Sequence, residues 1–484
     1  MKGLVGSFTS AIPMNLYSNT PTDRAIDAVA NIQHFPYWQT TIDPYVTPEI
    51  DPYHQSDVLI IGGGFTGLWT AVQLSQRFGN LQITLVDKSS LASEASSRNG
   101  GFIHQTLTHG FENSLHHWPA ETEKLIDLGR INFQELRNFI IEQKIECDWH
   151  DAGELEIALN ESQISSLKEQ VQKANSLNLD WQFLNFDELQ ERIHNPKFLA
   201  ASFDPTGVAT LNPAKLAHGL IRYLEQRGMK LYQNIEIKEI RTDNDTCLSK
   251  HANGVIRSGN VIVATGAHFF AHSLTRMRTV PIYDYSIVSR VLKDEELAKL
   301  GWSNREGVID TGNQFHYYRL TSDNRILWGG YAANYHYGNT IDEALTYQQK
   351  EFIQLAEDFF ELFEELTDLQ FEYGWGGVID TSSNFVPFFQ KSHKGKVIQA
   401  AGFTGLGVAS SRFAADVILD LLFDQNTART SLKFVQKKPL PFPPEPLRSL
   451  SIWLTRKSLI KEDLTGKRNL WLKLLDRLGV GFDS

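Results

Sequence analysis

A chain of 484 residues, 42% hydrophobic and 21% charged, has the make-up of a soluble globular protein with two packed domains and a sizeable core. Its formal charge of −11 argues against nucleic acid as a general partner, because phosphate binding needs a basic field. Two cysteines, Cys147 and Cys247, cannot build a disulfide framework, and no Cys/His cluster has zinc spacing. A reducing, cytoplasmic setting without a metal centre is expected.

The N-terminus carries Lys2 but no sustained apolar stretch, since Ser7, Thr9 and Ser10 interrupt it. Residues 1–56 show neither helical nor strand period and are predicted to form an irregular leader wrapped on the surface. Order begins at Asp57 to Ile61, a short apolar run that ends in glycine and suits a buried parallel strand. The most apolar stretch, Val58 to Leu74, is too short and too broken by glycine to span a bilayer. A helix over about Thr66 to Arg77 and a strand over Gln82 to Asp87 complete a βαβ unit. Pro119 to Ile145 reads as a helix with proline in its first turn. Asn212-Pro213 caps another that runs to Gly228, and the apolar strand Val261 to Ala264 ends in Thr265-Gly266. The texture then changes: Tyr283 to Val291, Phe315 to Leu320 and Arg325 to Trp328 alternate as an antiparallel sheet would. A helix near Tyr347 to Leu366 follows. The chain returns to apolar strand and glycine at Lys396 to Gly407, with a helix out to about Phe423.

The expected fold is therefore α/β. A discontinuous Rossmann-like nucleotide-binding domain is assigned to 57–150, 200–275 and 371–430. An inserted α+β substrate domain on an antiparallel sheet takes 151–199 and 276–370, and a Pro-rich junction and basic helical tail take 431–484. Gly62-Gly63-Gly64-Phe65-Thr66-Gly67 gives G-x-G-x-x-G directly after a strand and at a helix start. Gly62 turns the chain, Gly64 lets backbone approach a pyrophosphate, and Gly67 allows close helix–strand packing. The N–H groups of Phe65, Thr66 and Gly67 open the helix toward the phosphates. Asp87, followed by Lys88, stands 20 residues beyond Gly67, where it can accept from ribose hydroxyls. Ala264, Thr265 and Gly266 end a neighbouring strand at the same nucleotide edge.

Two more segments carry the cofactor choice: Ser96-Ser97-Arg98-Asn99-Gly100-Gly101, and Gly402-Phe403-Thr404-Gly405-Leu406-Gly407. With them, the Leu211-Asn212-Pro213 helix start and Trp375-Gly376-Gly377, the chain resembles the D-amino-acid oxidase-like FAD oxidoreductases, over nearly its whole length. This superfamily includes the glycine, sarcosine and γ-glutamylputrescine oxidases, and the likeness is strongest to the γ-glutamylputrescine-oxidase-like branch. The resemblance implies that Arg98 to Gly101 run beside the flavin and that Gly405 to Gly407 contact its pyrimidine edge. A helix starting at Gly405 would stabilise the negative charge of reduced flavin. The resemblance usually places Glu where this chain has Asp87. Members with covalent flavin carry a His near the first segment or a Cys near the last, but Asn99 and a cysteine-free stretch around Gly402 stand here. FAD is expected to be held without a covalent bond, with His104 the one histidine close by.

With no second dinucleotide motif, electrons are expected to enter from an organic substrate and leave to oxygen or another acceptor. The resemblance points to a small amine or amino acid as substrate; a hydroxy acid is the alternative, and FAD as a purely structural ligand a second. On the strand His316-Tyr317-Tyr318-Arg319, Arg319 is a candidate carboxylate ligand and Tyr317 a candidate pocket cap. Trp375 is a candidate for the flavin face. Arg319 is equally readable as a surface arginine or an internal ion pair, Tyr317 as a sheet-core residue and Trp375 as core. The tail from Leu447 to Ser484 holds eight Lys/Arg against four Asp/Glu. Trp471, Leu474, Leu475 and Leu478 form a stripe that favours docking on the acidic body over a membrane surface.

Overall fold

A computed structural model of the protein describes residues 20–480. The expectation about Lys2 to Ser10 lies outside the described residues. The fold is α/β, built on two large sheets. The first has eight strands, six in the order Phe388–Ser392, Val397–Ala401, Gly254–Val263, Gln55–Ile61, Ile83–Val86 and Lys230–Tyr232, while Thr246–His251 pairs with Gly254–Val263 and Glu239–Asp243 with Thr246–His251. Its inner pairs are parallel: Val58 faces Ile83, Val261 faces Val397, and Thr84 faces Lys230. Val58, Leu59, Ile60 and Ile61 are buried on both faces, which is why that strand reads as an unbroken apolar run.

Helices cover this sheet. Phe65–Arg77 packs between Gly407–Leu422 and Pro213–Gln226, and Trp69 is buried edge-on to Phe139 at 5.1 Å. Pro213 sits in the first turn of its helix while the Asn212 side chain accepts from Lys215 N at 3.1 Å. The predicted helix from Pro119 starts instead at Thr122 and runs to Glu142.

The second sheet has nine strands and mixed direction. Thr279–Ser289 lies near one edge and Phe371–Ser382 runs antiparallel along it from Thr279↔Ser382 to Ser289↔Phe371. Ile326–Gly330, His316–Leu320 and Gly307–Asp310 continue the sheet, and Glu154–Ala158 joins parallel to Gly307–Asp310. Two boundaries drawn from the sequence fall elsewhere in this pairing. Ala200–Asp204 pairs with Glu154–Ala158, and Phe371–Ser382 belongs to the second sheet, although 200–275 and 371–430 were both expected in the nucleotide layer. Strand partners lie far apart in the chain, so local texture does not reveal them.

The leader also differs from expectation. Asp23–Ala28 is a helix capped by the Thr22 side chain, and Ala25, Ala28 and Val29 enter the core beneath the second sheet. Tyr37–Thr41 is a single 3₁₀ turn that buries Trp38. Elements of six and five residues are too short to show a period.

Behind the second sheet, His316 lies between Asp310 Oδ2 at 2.8 Å and Asp358 Oδ2 at 3.2 Å, stacked on Trp328 and Tyr331. Burial opposes its charge, but the two carboxylates prevail and lift its pKa to about 9. A folded-state pKa above the unfolded value of about 6.5 stabilises the fold fully below that value, and the gain is lost as pH rises through about 9. The denaturation midpoint should therefore fall across that window, by about 3 kcal/mol in all. His316→Gln should be less stable at neutral pH and flat there; parallel pH profiles for the two proteins would contradict this assignment.

Candidate active site

The turn after the first strand is fixed by two close approaches. Gly62 has φ +110°, and a Cβ there would sit 2.3 Å from Ala264 O; one on Gly67 would sit 1.9 Å from Gly62 O. Only glycine permits both. Gly64 is the N-cap of the following helix and brings no side-chain cap. Phe65 N donates to Ser96 Oγ at 2.9 Å, while the Thr66 and Gly67 N–H groups meet no acceptor among the described residues. A helix N-terminus with open amides facing a cavity fits an anionic diphosphate. At the end of the next strand, Asp87 Oδ2 accepts from Gly63 N at 2.7 Å and Oδ1 from Ser89 N at 2.9 Å. Burial raises its pKa against those hydrogen bonds. Lys88 Nζ lies 2.9 Å from His268 Nδ1.

The segment Ser96 to Gly101 runs between the two sheets, and three of its carbonyls are held by buried donors. Trp375 Nε1 donates to Arg98 O at 2.9 Å, Trp38 Nε1 to Asn99 O at 2.8 Å, and Arg319 Nη1 to Gly101 O at 2.9 Å. The Asn99 side chain closes the turn, donating to Ala95 O and accepting from Gly101 N, each at 2.9 Å. Arg98 spans to the second sheet through Gly376 O at 3.2 Å. Donors from three separate regions of the chain thus immobilise one loop.

The third element is the turn before the last helix of the first sheet. Asp380 Oδ2 accepts from Gly402 N at 2.6 Å, and Asp380 O accepts from Thr404 N at 3.1 Å. His109 Nε2 lies 2.5 Å from Thr404 O, and burial takes that histidine down to about 4. Burial lifts the Asp380 carboxyl to about 6. The helix begins at Gly407, two residues later than predicted, so Gly405 and Leu406 lie in the loop that leads into it.

These elements surround one cavity of about 1320 Å³. Ordinary small-molecule pockets hold roughly 300–1,000 Å³, so a dinucleotide and a second small molecule have room. Of the residues singled out in the sequence, the cavity brings together Gly62, Gly64, Phe65, Thr66, Asp87, Lys88, Ser96, Arg98, Asn99, Gly100, Ala264, Thr265, Gly266, Thr404, Gly405, Leu406, Gly407 and Tyr317. Gly67, Gly101 and Gly402 stand behind its wall in close backbone packing. Arg319 and Trp375 are also behind it, buried and spent on the Ser96–Gly101 loop, so neither is exposed to a substrate. Arg319 adds a second bond to Leu211 O at 2.8 Å. The expectation that it would meet a substrate carboxylate is corrected: Arg319 does not line the cavity, and its Nη1 is committed to the Gly101 and Leu211 carbonyls.

Tyr317 does face the cavity. Its hydroxyl donates to Asp284 Oδ2 at 2.7 Å and lies 2.9 Å from Ser286 Oγ. Burial pushes the phenol pKa well up and the Asp284 carboxyl to about 6. Asp284 was missed in the sequence, although it stands between Tyr283 and Tyr285 on an alternating strand and so must face away from both. His104, noted from the sequence as near the flavin segment, does line the cavity, 3.7 Å from Glu154; Glu154 and the helices after Leu447 line it too and were not foreseen there.

A family model described as "FAD dependent oxidoreductase" (DAO) matches residues 57–421. The gamma-glutamylputrescine oxidoreductase of Escherichia coli is 25% identical over 393 residues, covering 80% of this chain and 88% of that protein. A probable oxidoreductase OrdL of Haemophilus influenzae is 23% identical over 401 residues, covering 80% and 87%. Among solved structures, the glycine oxidase of Geobacillus kaustophilus superposes with a TM-score of 0.67 at 18% identity, covering 80% of this chain and all of that one.

Proposed function

Since the chain belongs to the DAO family of FAD-dependent oxidoreductases, we propose that it holds FAD without a covalent bond and oxidises the C–N bond of a small amine or amino acid. The observation that carries this reading is the convergence of the open helix N-terminus, the clamped Ser96–Gly101 loop and the Gly405–Gly407 turn on one cavity. The names of two relatives support the substrate class, one a gamma-glutamylputrescine oxidoreductase and the other a glycine oxidase.

Bound FAD supplies a two-electron acceptor for a hydride from the substrate carbon. In this reading the Thr66 amide at the helix N-terminus binds the pyrophosphate, and Asp87 with Lys88 borders the ribose. The Gly405–Gly407 turn sets a helix N-terminus against developing negative charge. Tyr317 and Asp284 form the polar end of the substrate space. Above about pH 6 the Asp284 carboxylate accepts from Tyr317 and sets a negative charge at this end of the cavity; below it, Oδ2 carries its own proton. Electrons then leave to oxygen or another acceptor.

Acid or heat precipitation should release yellow FAD into the supernatant; colour that stays on the washed precipitate would contradict the non-covalent assignment. Anaerobic mixing with a panel of primary amines, amino acids and hydroxy acids should bleach the flavin with the first two classes. Bleaching by hydroxy acids alone would replace this function with hydroxy-acid oxidation, and bleaching by none of them would leave FAD a structural ligand.

A further inference from the structure

The last two helices, Leu447–Thr465 and Leu470–Leu478, lie beyond the matched family segment and present two unlike faces. Inward, Ile452, Thr455, Leu459, Trp471 and Leu475 wall the cavity, and Trp471 Nε1 donates to Thr455 Oγ1 at 3.0 Å, tying one helix to the other. This is the docking expected from the sequence, but it uses only part of the hairpin. Outward, Leu447, Leu450, Leu464, Leu470 and Leu474 are 48–87% exposed, and none of them lines the cavity.

Charge follows the same division. The carboxylates are consumed within the fold. Arg468 bonds Glu462 at 2.9 Å and Asp476 Oδ2 at 2.7 Å, and Asp463 accepts from Asn313 N at 2.9 Å and Asn313 Nδ2 at 2.7 Å. Lys457, Lys461, Lys467, Lys473 and Arg477 are exposed, and among the described residues none pairs with a carboxylate. The outer face is therefore leucine and exposed cation, with Lys457 lying over the Trp453 ring at 4.5 Å, on a chain whose overall charge is −11.

We propose that this outer face docks the protein on a membrane surface rich in anionic lipid headgroups. Leucines reach the acyl boundary while long cationic side chains remain with the phosphates, the arrangement of an interfacial helix. No helix among the described residues is long and apolar enough to cross a membrane, so the contact is peripheral. Charge complementarity favours lipid over a second copy of the chain. A protein partner would have to bury five cations among the leucines, and protein interfaces exclude lysine from their cores. A lipid surface rewards each cation with about a fivefold gain in affinity. Such docking would hold the hairpin's outer side on lipid while its inner side walls the cavity.

The test is co-sedimentation of the full-length, FAD-loaded protein with vesicles of phosphatidylcholine alone or mixed with phosphatidylglycerol. Binding to the mixed vesicles should be at least about tenfold tighter and should weaken with added salt. The variant Lys457→Glu, Lys461→Glu, Lys473→Glu, Arg477→Glu should lose at least about five hundredfold in that affinity. Leu464→Ser, Leu470→Ser, Leu474→Ser should also release the protein, and both variants should keep native flavin absorbance and content. Absence of binding to either vesicle would overturn the proposal. So would binding that neither variant weakens, or a dimer in lipid-free solution that the leucine variant dissociates without any vesicle binding.

Discussion

Gly64→Val protein is expected to purify folded and nearly colourless. The backbone at Gly64 has φ −79°, which any residue adopts, so the turn itself is not strained. A Cβ there meets Ser96 Oγ at 2.9 Å, a side chain that can yield. The added isopropyl group, however, enters the stretch of cavity wall that Gly64 shares with Phe65 and Thr66, and it displaces the Ser96 hydroxyl from Phe65 N. Losing the charge-assisted Thr66 bond to a pyrophosphate, about 1.5–3 kcal/mol, lowers FAD affinity by about tenfold to a hundredfold, and the blocked backbone approach lowers it further. Gly67→Ala is the contrasting case. Its Cβ would lie 1.9 Å from a main-chain oxygen that cannot move aside, so it should fail to fold. Normal flavin content in soluble Gly64→Val protein would show that the motif is only a structural turn.

Arg319→Met is expected to cost on the order of 3 kcal/mol of stability and to loosen the flavin, without a specific effect on substrate binding. The Gly101 and Leu211 carbonyls would lose their buried donor, at about 1–3 kcal/mol each. Part of this is returned, because burial already pushes the guanidinium pKa down to about 9. The readouts are the urea midpoint, the FAD dissociation constant, and KM measured on protein saturated with FAD. A large rise in KM at unchanged stability and flavin affinity would restore Arg319 as a substrate ligand.

The history of Arg319 shows what the sequence can and cannot reveal. Alternation along His316 to Arg319 puts Tyr317 and Arg319 on one face and His316 and Tyr318 on the other, and the fold agrees. Period alone does not say where along that face the cavity ends. Tyr317 lies inside the edge and Arg319 one step beyond it. The glycine turns were legible because each is a contiguous segment whose backbone demands are local. Trp38 was not: its role is to donate to a carbonyl 61 residues away, and the short turn that carries it has no periodicity. Asp284 was legible only as a strand residue, since its place beside Tyr317 depends on which strands neighbour one another. The stripe Trp471, Leu474, Leu475, Leu478 predicted one buried face, yet Leu474 is 48% exposed while Trp471 and Leu475 meet the cavity. A 3.6-residue period marks an apolar side without naming what covers it.

Oxidation of a C–N bond makes a demand on the substrate that oxidation of an alcohol does not: the amine must be neutral to release a hydride. Primary amines titrate near lysine's value of about 10.4, so at neutral pH only a small fraction is reactive. Stopped-flow bleaching of the flavin at subsaturating amine, followed anaerobically between about pH 6 and 9, isolates this step. The rate should climb with pH, about tenfold per unit wherever the enzyme's own groups are not titrating, with Asp284 near pH 6 bending only the acid end. A flat profile, or fast bleaching by hydroxy acids with none by amines, would contradict it.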